Sequence, residues 1–395
     1  MASFLFFFFV VLIALAAFFR ADFILIILYL LVGLYVISHW WSRHALAALQ
    51  IKRSLPERAF WGEIIPVRVN VKNEGYLPVV WVHLRETLPM ELSAEGITQE
   101  VVNFGSHAIY DLKYELDCRK RGYYPIGPLT LFSGDLFGIS QQQPLIADAD
   151  HLTVFPKIIP LANLELPVHS PLGTIRHTQP IFEDPARVRG KRDYITGDSF
   201  RQVDWKASAV AQRLQVKLYE PSIALETMVF LNLNRLEYNI KDLYRASELG
   251  IITAASIANW ITRKRQAVGL ATNGIDPMVD NKPPMMISSK RGQGHLMRIL
   301  EVLARIENAD SYPLVQLIEQ DTVHLSWGTT LIVIANQAGD DLFDAFFQIR
   351  RKGINPILIL CGFVDQIVTI QRKAAYFNYP TYHFLTEKDL DVWRH

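Results

Sequence analysis

LETMVFLNLN at residues 225–234, followed by LYRASELGIITAASIANWITR at 243–263, decides how the C-terminal half of the chain folds. Leu225 to Leu231 is an apolar run of strand length. Leu243, Ala246, Gly250, Ala254, Ile257 and Ile261 then recur at spacings of three and four, which is one face of a helix. The alternation continues downstream. Val268 to Ala271 reads as a strand, and Leu296, Leu300 and Leu303 mark a helix. Leu331 to Ala335 is a buried strand, Leu342, Phe346 and Ile349 mark a helix, and Pro356 to Leu360 is a strand. A short helix and a last strand near Tyr382 to Leu385 follow. This order predicts an α/β domain over residues 221–395, a parallel sheet with helices on both faces. Ligands of such sheets bind at the C-terminal strand ends, which here include Asn232 to Asn234, Thr272 to Asn273 and Asn336 to Gln337. Between the second strand and its helix, Asn281 to Gly294 is polar and contains proline, and reads as a surface loop. The Arg291-Gly292-Gln293-Gly294 run at its end precedes a helix, but a short glycine pair is weak evidence for an anion site.

Immediately before this domain lies the most unusual stretch of the chain, RGKRDYITGDSFRQVDWKASA at 189–209. Opposite charges are mixed closely with a tyrosine and a tryptophan. Thr196-Gly197-Asp198-Ser199 forms a turn, Asp204 suits the N-cap of a helix starting at Trp205, and Arg213 to Tyr219 alternates like a strand. Three readings are open. Arg192, Asp198, Arg201 and Asp204 lock the linker onto the last domain through charge-assisted hydrogen bonds, with Trp205 as a core anchor. Alternatively, the segment is a recognition surface for a protein. Third, Asp198 and Asp204 are a catalytic acid and base.

Residues 51–156 have a different character. Ile65, Val67, Val69 and Val71 alternate with polar or small residues, as do Leu112, Tyr114 and Leu116, and turn signals such as Asn73-Glu74-Gly75 and Gly105-Ser106 separate the runs. Short alternating strands predict an antiparallel β-sandwich. Residues 157–220 form an extended linker that ends in the charged segment. Pro160, Pro167, Pro171, Pro180 and Pro185 exclude a long helix from its first half.

The first fifty residues are almost entirely apolar. Ala2 to Phe19 and Phe23 to Trp41 are separated only by Arg20 and its neighbours. Each run nearly reaches the roughly 20 residues that a bilayer core requires. A transmembrane helical hairpin over 1–50 follows, rather than a signal peptide, because no basic residue precedes the first run. Arg43, Lys52, Arg53 and Arg58 flank the second run, and Trp40 and Trp41 fit an interfacial belt. Basic flanks stay in the cytoplasm, so the expectation is a multi-pass protein of the bacterial inner membrane whose soluble body is cytoplasmic.

Outside residues 1–50, Lys plus Arg and Asp plus Glu balance at 38 each. A nucleic-acid binder shows a basic excess or stripe, so that class is disfavoured. The two cysteines, Cys118 and Cys361, fall in different domains and build neither a disulfide framework nor a zinc ribbon.

The signature Tyr194-x-x-Gly197-Asp198-x-x-Arg201-x-x-Asp204-Trp205 resembles that of the bacterial family called domain of unknown function 58. Arg121-Gly122-Tyr123-Tyr124-Pro125-Ile126-Gly127-Pro128, followed by Asp135-Leu136-Phe137-Gly138, is similar to that family's upstream pattern. The resemblance implies a Rossmann-like C-terminal domain of the von Willebrand factor A type. It also implies a MoxR-type AAA+ ATPase as the partner, and an adaptor or assembly role. A metal-binding domain of that type carries Asp-x-Ser-x-Ser after its first strand, oxygen ligands suited to Mg²⁺. Here Asn232-Leu233-Asn234-Arg235-Leu236 stands in its place, and Asn336-Gln337 follows the later strand. Neutral amides supply oxygen without charge, so no useful divalent metal site is expected at Asn232, Asn234 and Asn336.

No constellation for catalysis was found. There is no P-loop, no Gly-x-Ser-x-Gly elbow and no His-Glu-x-x-His. Cys118 precedes Arg119-Lys120-Arg121, whose charge would lower its pKa, but a thiol in a sandwich strand is ordinarily a small buried residue. No cofactor and no small-molecule substrate is indicated. The expectation is a non-enzymatic, membrane-anchored adaptor that binds a protein through Arg192, Tyr194, Gly197, Asp198, Arg201, Asp204 and Trp205. The rivals are a hydrolase using Asp198 and Asp204, and a purely structural membrane scaffold.

Overall fold

The apolar runs that alternate with helical stripes assemble into one six-stranded sheet. A computed structural model describes residues 11, 22–93, 96–134, 144–161, 183–195, 203–221, 226–279 and 285–393. Two compact units divide the chain, Met1–Lys157 and Ile158–His395.

The first unit begins with one long helix, α1 (Asp22–Ala47). Its segment Ile26–Ala47 is long and apolar enough to cross a membrane. The first apolar run, Ala2 to Phe19, lies outside the described residues apart from Val11, so a multi-pass hairpin gains no support here. A single residue, Ala48, separates α1 from β1 (Leu49–Ser54). The strands that follow are β2 (Arg58–Ala59), β3 (Ile64–Asn73), β4 (Val79–Thr87), β5 (Ile97–Phe104), β6 (Ile109–Asp117), β7 (Gly122–Ile126), β8 (Leu129–Phe132), β9 (Leu145–Ala147) and β10 (Asp150–Val154). They form sheets ordered β1-β3-β6, β5-β4-β8-β9 and β2-β10-β7. The first two are antiparallel throughout. The period-two pattern of β3 turns Ile65, Val67, Val69 and Val71 inward, where they share one core with Leu112 and Leu116 of β6, Val82 and Leu84 of β4, and Leu129 and Leu131 of β8. At the end of β3, buried Asn73 ties two turns together. Its Nδ2 donates to the carbonyls of Leu77 and Gly105, both at 2.9 Å, and its Oδ1 accepts from Gly75 N.

The guanidinium of Arg53 is buried in this unit. It donates to Glu86 Oε1 at 2.7 Å, to Asp150 Oδ2 at 2.6 Å and to the Asp148 carbonyl at 3.0 Å. Arg53 is therefore not available as one of the basic residues flanking the membrane run. Gly127 explains part of the upstream motif. Its φ is +110°, and a Cβ there would stand 2.7 Å from Arg53 Nη2.

The second unit opens with a two-stranded antiparallel ribbon, β11 (Glu183–Asp193) and β12 (Gln215–Pro221), with the short helix α2 (Trp205–Ala211) between them. Then come β13 (Glu226–Leu231), α3 (Leu243–Arg263), β14 (Ala267–Thr272), β15 (Met285–Lys290), α4 (Gln293–Arg305), α5 (Leu314–Asp321), β16 (Thr330–Ala335), α6 (Asp340–Arg351), β17 (Asn355–Cys361), α7 (Ile367–Tyr376) and β18 (Thr381–Phe384). The sheet order is β15-β14-β13-β16-β17-β18. Counted from β13 this is the doubly wound order 3-2-1-4-5-6, with every pairing parallel except β14 with β15. The central strands are buried along their whole length, as a sheet covered on both faces requires. Leu314, Leu317, Leu342, Phe346, Ile349 and Ile370 from α5, α6 and α7 cover Phe230, Leu331, Val333 and Leu358 in one cluster. On α3, Gly250 allows close approach to the sheet, for a Cβ there would meet Leu231 and Ile334 at 3.3 and 3.4 Å.

One expectation is corrected. Asn281 to Gly294 is not simply a loop, because Met285–Lys290 is an antiparallel edge strand. Its burial is partial and irregular, which left no clear period in the sequence.

Candidate functional site

Two features of the α/β unit bring the expected site residues together. The first is the carboxyl edge of the sheet, where the strand order reverses between β13 and β16. Asn232 and Asn234 leave β13, Asn273 leaves β14 and Asn336 leaves β16, and all four are at most 2% exposed. Asn232 and Asn273 bond to each other, and all four side chains engage nearby backbone. Asn273 Nδ2 donates to Asn232 Oδ1 at 2.9 Å, and Asn234 N donates to the same oxygen at 3.1 Å. Leu233 N donates to Asn273 Oδ1 at 2.6 Å. Asn336 spans the switch point, accepting from Asn239 N at 3.3 Å and donating to the carbonyls of Cys361 and Phe363 at 2.8 and 3.0 Å. Asn234 Oδ1 caps a turn at Leu236 N and accepts from Ser311 N.

Glu237 closes the cluster. Its carboxylate accepts from Asn232 Nδ2 at 2.7 Å and from Leu314 N, the first residue of α5, at 3.2 Å. Burial is the main reason its carboxyl titrates above the usual range, against the pull of these donors. The Tyr238 hydroxyl donates to the Asn232 carbonyl at 2.5 Å, and burial raises its pKa. Glu237, Tyr238 and Ser311 were not anticipated; a lone glutamate six residues past a strand end carries no recognisable spacing.

This edge does not fit a divalent cation. The amide oxygens of Asn232, Asn234 and Asn336 are neutral and already turned onto N–H groups. The one carboxylate among them is held by an amide and a helix N-terminus and resists ionisation. Hard cations favour charged oxygen ligands that are free to converge. Above the closed network, Leu236, Ile240 and Phe363 expose large apolar side chains. Phe363 lies beside the start of α3, because its N–H donates to Asp242 Oδ2 at 2.6 Å.

The second feature is the tip of the ribbon. Gly197, Asp198 and Arg201 fall at 196–202, outside the described residues. The others are placed. Asp204 is the N-cap of α2, with Oδ1 accepting from Ala207 N at 3.1 Å and Oδ2 paired to Lys191 Nζ at 2.9 Å. The Lys191 bond, then the Ala207 N–H, holds its carboxyl below the usual range. Ser208 Oγ bridges the Asp204 carbonyl and Gln215 N, both at 2.8 Å, and fixes α2 to β12. Asp193 pairs with Arg213 at 3.0 Å and accepts from the Gln215 side chain. Arg192 Nη1 donates to the Asp193 carbonyl, and Tyr194 N donates to the Leu214 carbonyl. These bonds close within the ribbon. Trp205 is not a core anchor: its side chain faces outward and the residue is 64% exposed. Its position as the first residue of a capped helix holds it there.

The two thiols are both buried. Burial, followed by Glu63 and Asp117, pushes Cys118 up to about 11, so the neighbouring basic residues do not activate it. Arg119 instead pairs with Asp117 at 2.8 Å. Burial pushes Cys361 up to about 12.

With this geometry in place, the comparisons are informative. A doubly wound α/β unit with a charged ribbon ahead of it is the class of domain defined here. The family described as "Protein of unknown function DUF58" matches residues 190–342, from the ribbon to the start of α6, and the chain therefore carries a DUF58 domain. The "Uncharacterized protein YeaD" of Bacillus subtilis (strain 168) is 21% identical over 340 residues, covering 78% of this chain and 81% of that protein. Among solved structures, the CARDB domain of the PF1109 protein from Pyrococcus furiosus is 16% identical, covers 27% of this chain and 91% of its own, and has a TM-score of 0.20. Proximal thread matrix protein 1 from the mussel byssus is 9% identical, covers 43% of this chain and 46% of its own, and has a TM-score of 0.32. At these TM-scores neither likeness bears on the fold or the function.

Proposed function

We propose that this protein is a membrane-anchored, non-enzymatic adaptor that binds a protein partner through the ribbon tip and the adjoining α/β domain. The observation that carries the reading is Trp205. A tryptophan within the family signature is presented to solvent by a helix whose cap and flank are both tied down. Tryptophan and arginine dominate binding hot spots, and a fixed side chain loses less entropy on binding. The sheet order, with its antiparallel third strand, supports a von Willebrand factor A-like domain, and the exposed Leu236, Ile240 and Phe363 offer a second apolar contact at its carboxyl edge. The resemblance points to a MoxR-type AAA+ ATPase as the partner.

Two observations weigh against the hydrolase alternative. Both Asp204 oxygens are engaged, and the group's lowered pKa makes it a poor base near neutral pH. The membrane placement rests on α1, whose apolar side chains Ile26, Tyr29, Leu30, Val36 and Ile37 face outward, as lipid contact requires. Arg43 near the end of the helix and Lys52 beyond it favour a cytoplasmic body in the bacterial inner membrane. A second span through Ala2 to Phe19 completes the hairpin in this reading. A reporter fused after His395 that works only outside the cytoplasm would refute that topology.

The direct test is calorimetry between the detergent-solubilised protein and a purified MoxR-type ATPase from the same organism. Trp205→Ala is expected to weaken binding about thirtyfold, with an unchanged circular dichroism spectrum. Equal affinity for wild type and variant would remove the ribbon tip from the interface. Titration of the same preparation with Mg²⁺ or Mn²⁺ is expected to show no micromolar binding.

A further inference from the structure

The membrane helix does not end where the antiparallel unit begins. Its last three turns lie alongside that unit. Ser38, Ser42 and Ala45 form one buried stripe, and Ser38, Trp41 and Ser42 line a small crevice together with Pro78, Val80 and Gly134. The Trp41 indole N–H donates to the Pro78 carbonyl at 2.9 Å. Below this, Glu74 N donates to the Ala48 carbonyl at 3.0 Å, so the turn after β3 brackets the helix end. With only Ala48 between helix and first strand, there is no tether.

The helix rise then fixes where the unit stands. A hydrocarbon core of about 30 Å takes about 20 residues at about 1.5 Å each. Counted from Asp22, where α1 begins, the near boundary falls at about Trp41, just ahead of Arg43. Ser38 is one turn earlier, about 4–5 Å inside that boundary. A tilted helix spends more residues in the core and moves Ser38 deeper. Val80 and Gly134 line the same crevice as Ser38. Val80 is 47% exposed and Trp40 is 53% exposed. Apolar and aromatic side chains at this level suit the headgroup–acyl boundary.

We propose that the antiparallel unit itself enters the bilayer interface, through the start of β4 at Pro78–Val80 and the end of β8 at Ser133–Gly134. The ligand of this surface is lipid, and its effect is to fix the unit's orientation on the membrane. The inference rests on α1 spanning the bilayer, and the test separates the two.

Single cysteines at Leu30→Cys, Val80→Cys and Met90→Cys would each carry an environment-sensitive fluorophore, in full-length protein in phosphatidylcholine/phosphatidylglycerol nanodiscs. The native thiols are buried and escape labelling in the folded protein. Met90 is 83% exposed and lies about 30 Å of chain beyond Val80, past the other end of β4. Blue-shifted emission and quenching by a doxyl-labelled lipid are expected at residue 30 and at residue 80, with neither at residue 90. Quenching at 30 with residue 80 behaving like residue 90 would overturn the inference and leave the anchor intact. Loss of quenching at 30 would overturn the anchor and this surface with it.

Discussion

In the antiparallel unit a guanidinium is buried against Glu86 and Asp150. In the α/β unit the buried polar cluster consists of the amides Asn232, Asn273 and Asn336 with the single carboxyl of Glu237 at its margin. The difference lies in how each cluster tolerates loss. Buried ions need a partner of opposite charge, and the Arg53 group still leaves Arg53 Nε, Glu86 Oε2 and the Tyr114 hydroxyl without hydrogen bonds. The amides carry both donor and acceptor, so Asn232 and Asn273 satisfy each other while Asn273 and Asn336 satisfy nearby backbone groups without charge. The first arrangement fixes strands β1, β4 and β10 to one another. The second fills the place where a sheet of this order ordinarily holds its ligand.

The largest effect expected from breaking this contrast is at Glu86. Glu86→Ala leaves the buried guanidinium with only the half-exposed Asp150 as its counter-ion, and urea denaturation of the solubilised protein should show a loss of about 3 kcal/mol. The pair Arg53→Met with Glu86→Leu should recover most of that, because an apolar pair of similar volume replaces a buried ion pair at little net cost. A double variant as unstable as the single would mean that the ions contribute more than mutual neutralisation.

Asn232→Leu should cost about 2–3 kcal/mol, since it leaves Glu237, Asn234 N and part of Asn273 unsatisfied. No apolar double variant should rescue it, for the backbone N–H groups remain. Recovery on adding Leu at Asn273 would contradict the network account.

A smaller effect is pH-dependent. Glu237 titrates above its unfolded value. Its contribution to stability is therefore fully present below the ordinary carboxylate pKa of about 4.3 and is lost as pH rises through the raised folded value. Denaturation midpoints of wild type and Glu237→Gln should converge at acid pH and separate above it, with wild type the less stable. Parallel curves would place Glu237 in solvent-like surroundings. Asp204 has the opposite sign. Its stabilisation of the ribbon is present above the ordinary Asp pKa and is lost as pH falls through the lowered folded value. Asp204→Ala should speed amide exchange at Ala207 and Ser208 while leaving the global midpoint unchanged; a shift of that midpoint would mean that the ribbon is part of the global fold.

Much of the fold was legible because the α/β strands are buried on both faces. Leu331 to Ala335 and Met228 to Leu231 are continuous apolar runs, and Leu342, Phe346 and Ile349 mark a helix stripe that the core confirms. Signals failed where burial is partial or local. Strand Met285–Lys290 has no clean alternation, and helix Leu314–Asp321 is only eight residues long. Arg53 reads as a membrane flank because sequence cannot show that Glu86, thirty-three positions on and in a different sheet, lies within hydrogen-bond reach of it. The Asn-Leu-Asn motif was visible, but its meaning depended on Glu237 and Asn273, which only the strand order brings beside it. The reading of Trp205 as a core anchor failed for a related reason. Whether an indole at a helix start faces in or out depends on what the helix packs against, and α2 rests on β12 through Ser208.

The most direct test of the adaptor account is photo-crosslinking in living cells, with benzoylphenylalanine in place of Trp205 in the full-length protein. The account predicts a crosslink from residue 205 to the AAA+ ATPase, which disappears when the photoreactive residue is moved to the buried Phe230. A folded, membrane-located protein that forms no protein crosslink at residue 205 would contradict it.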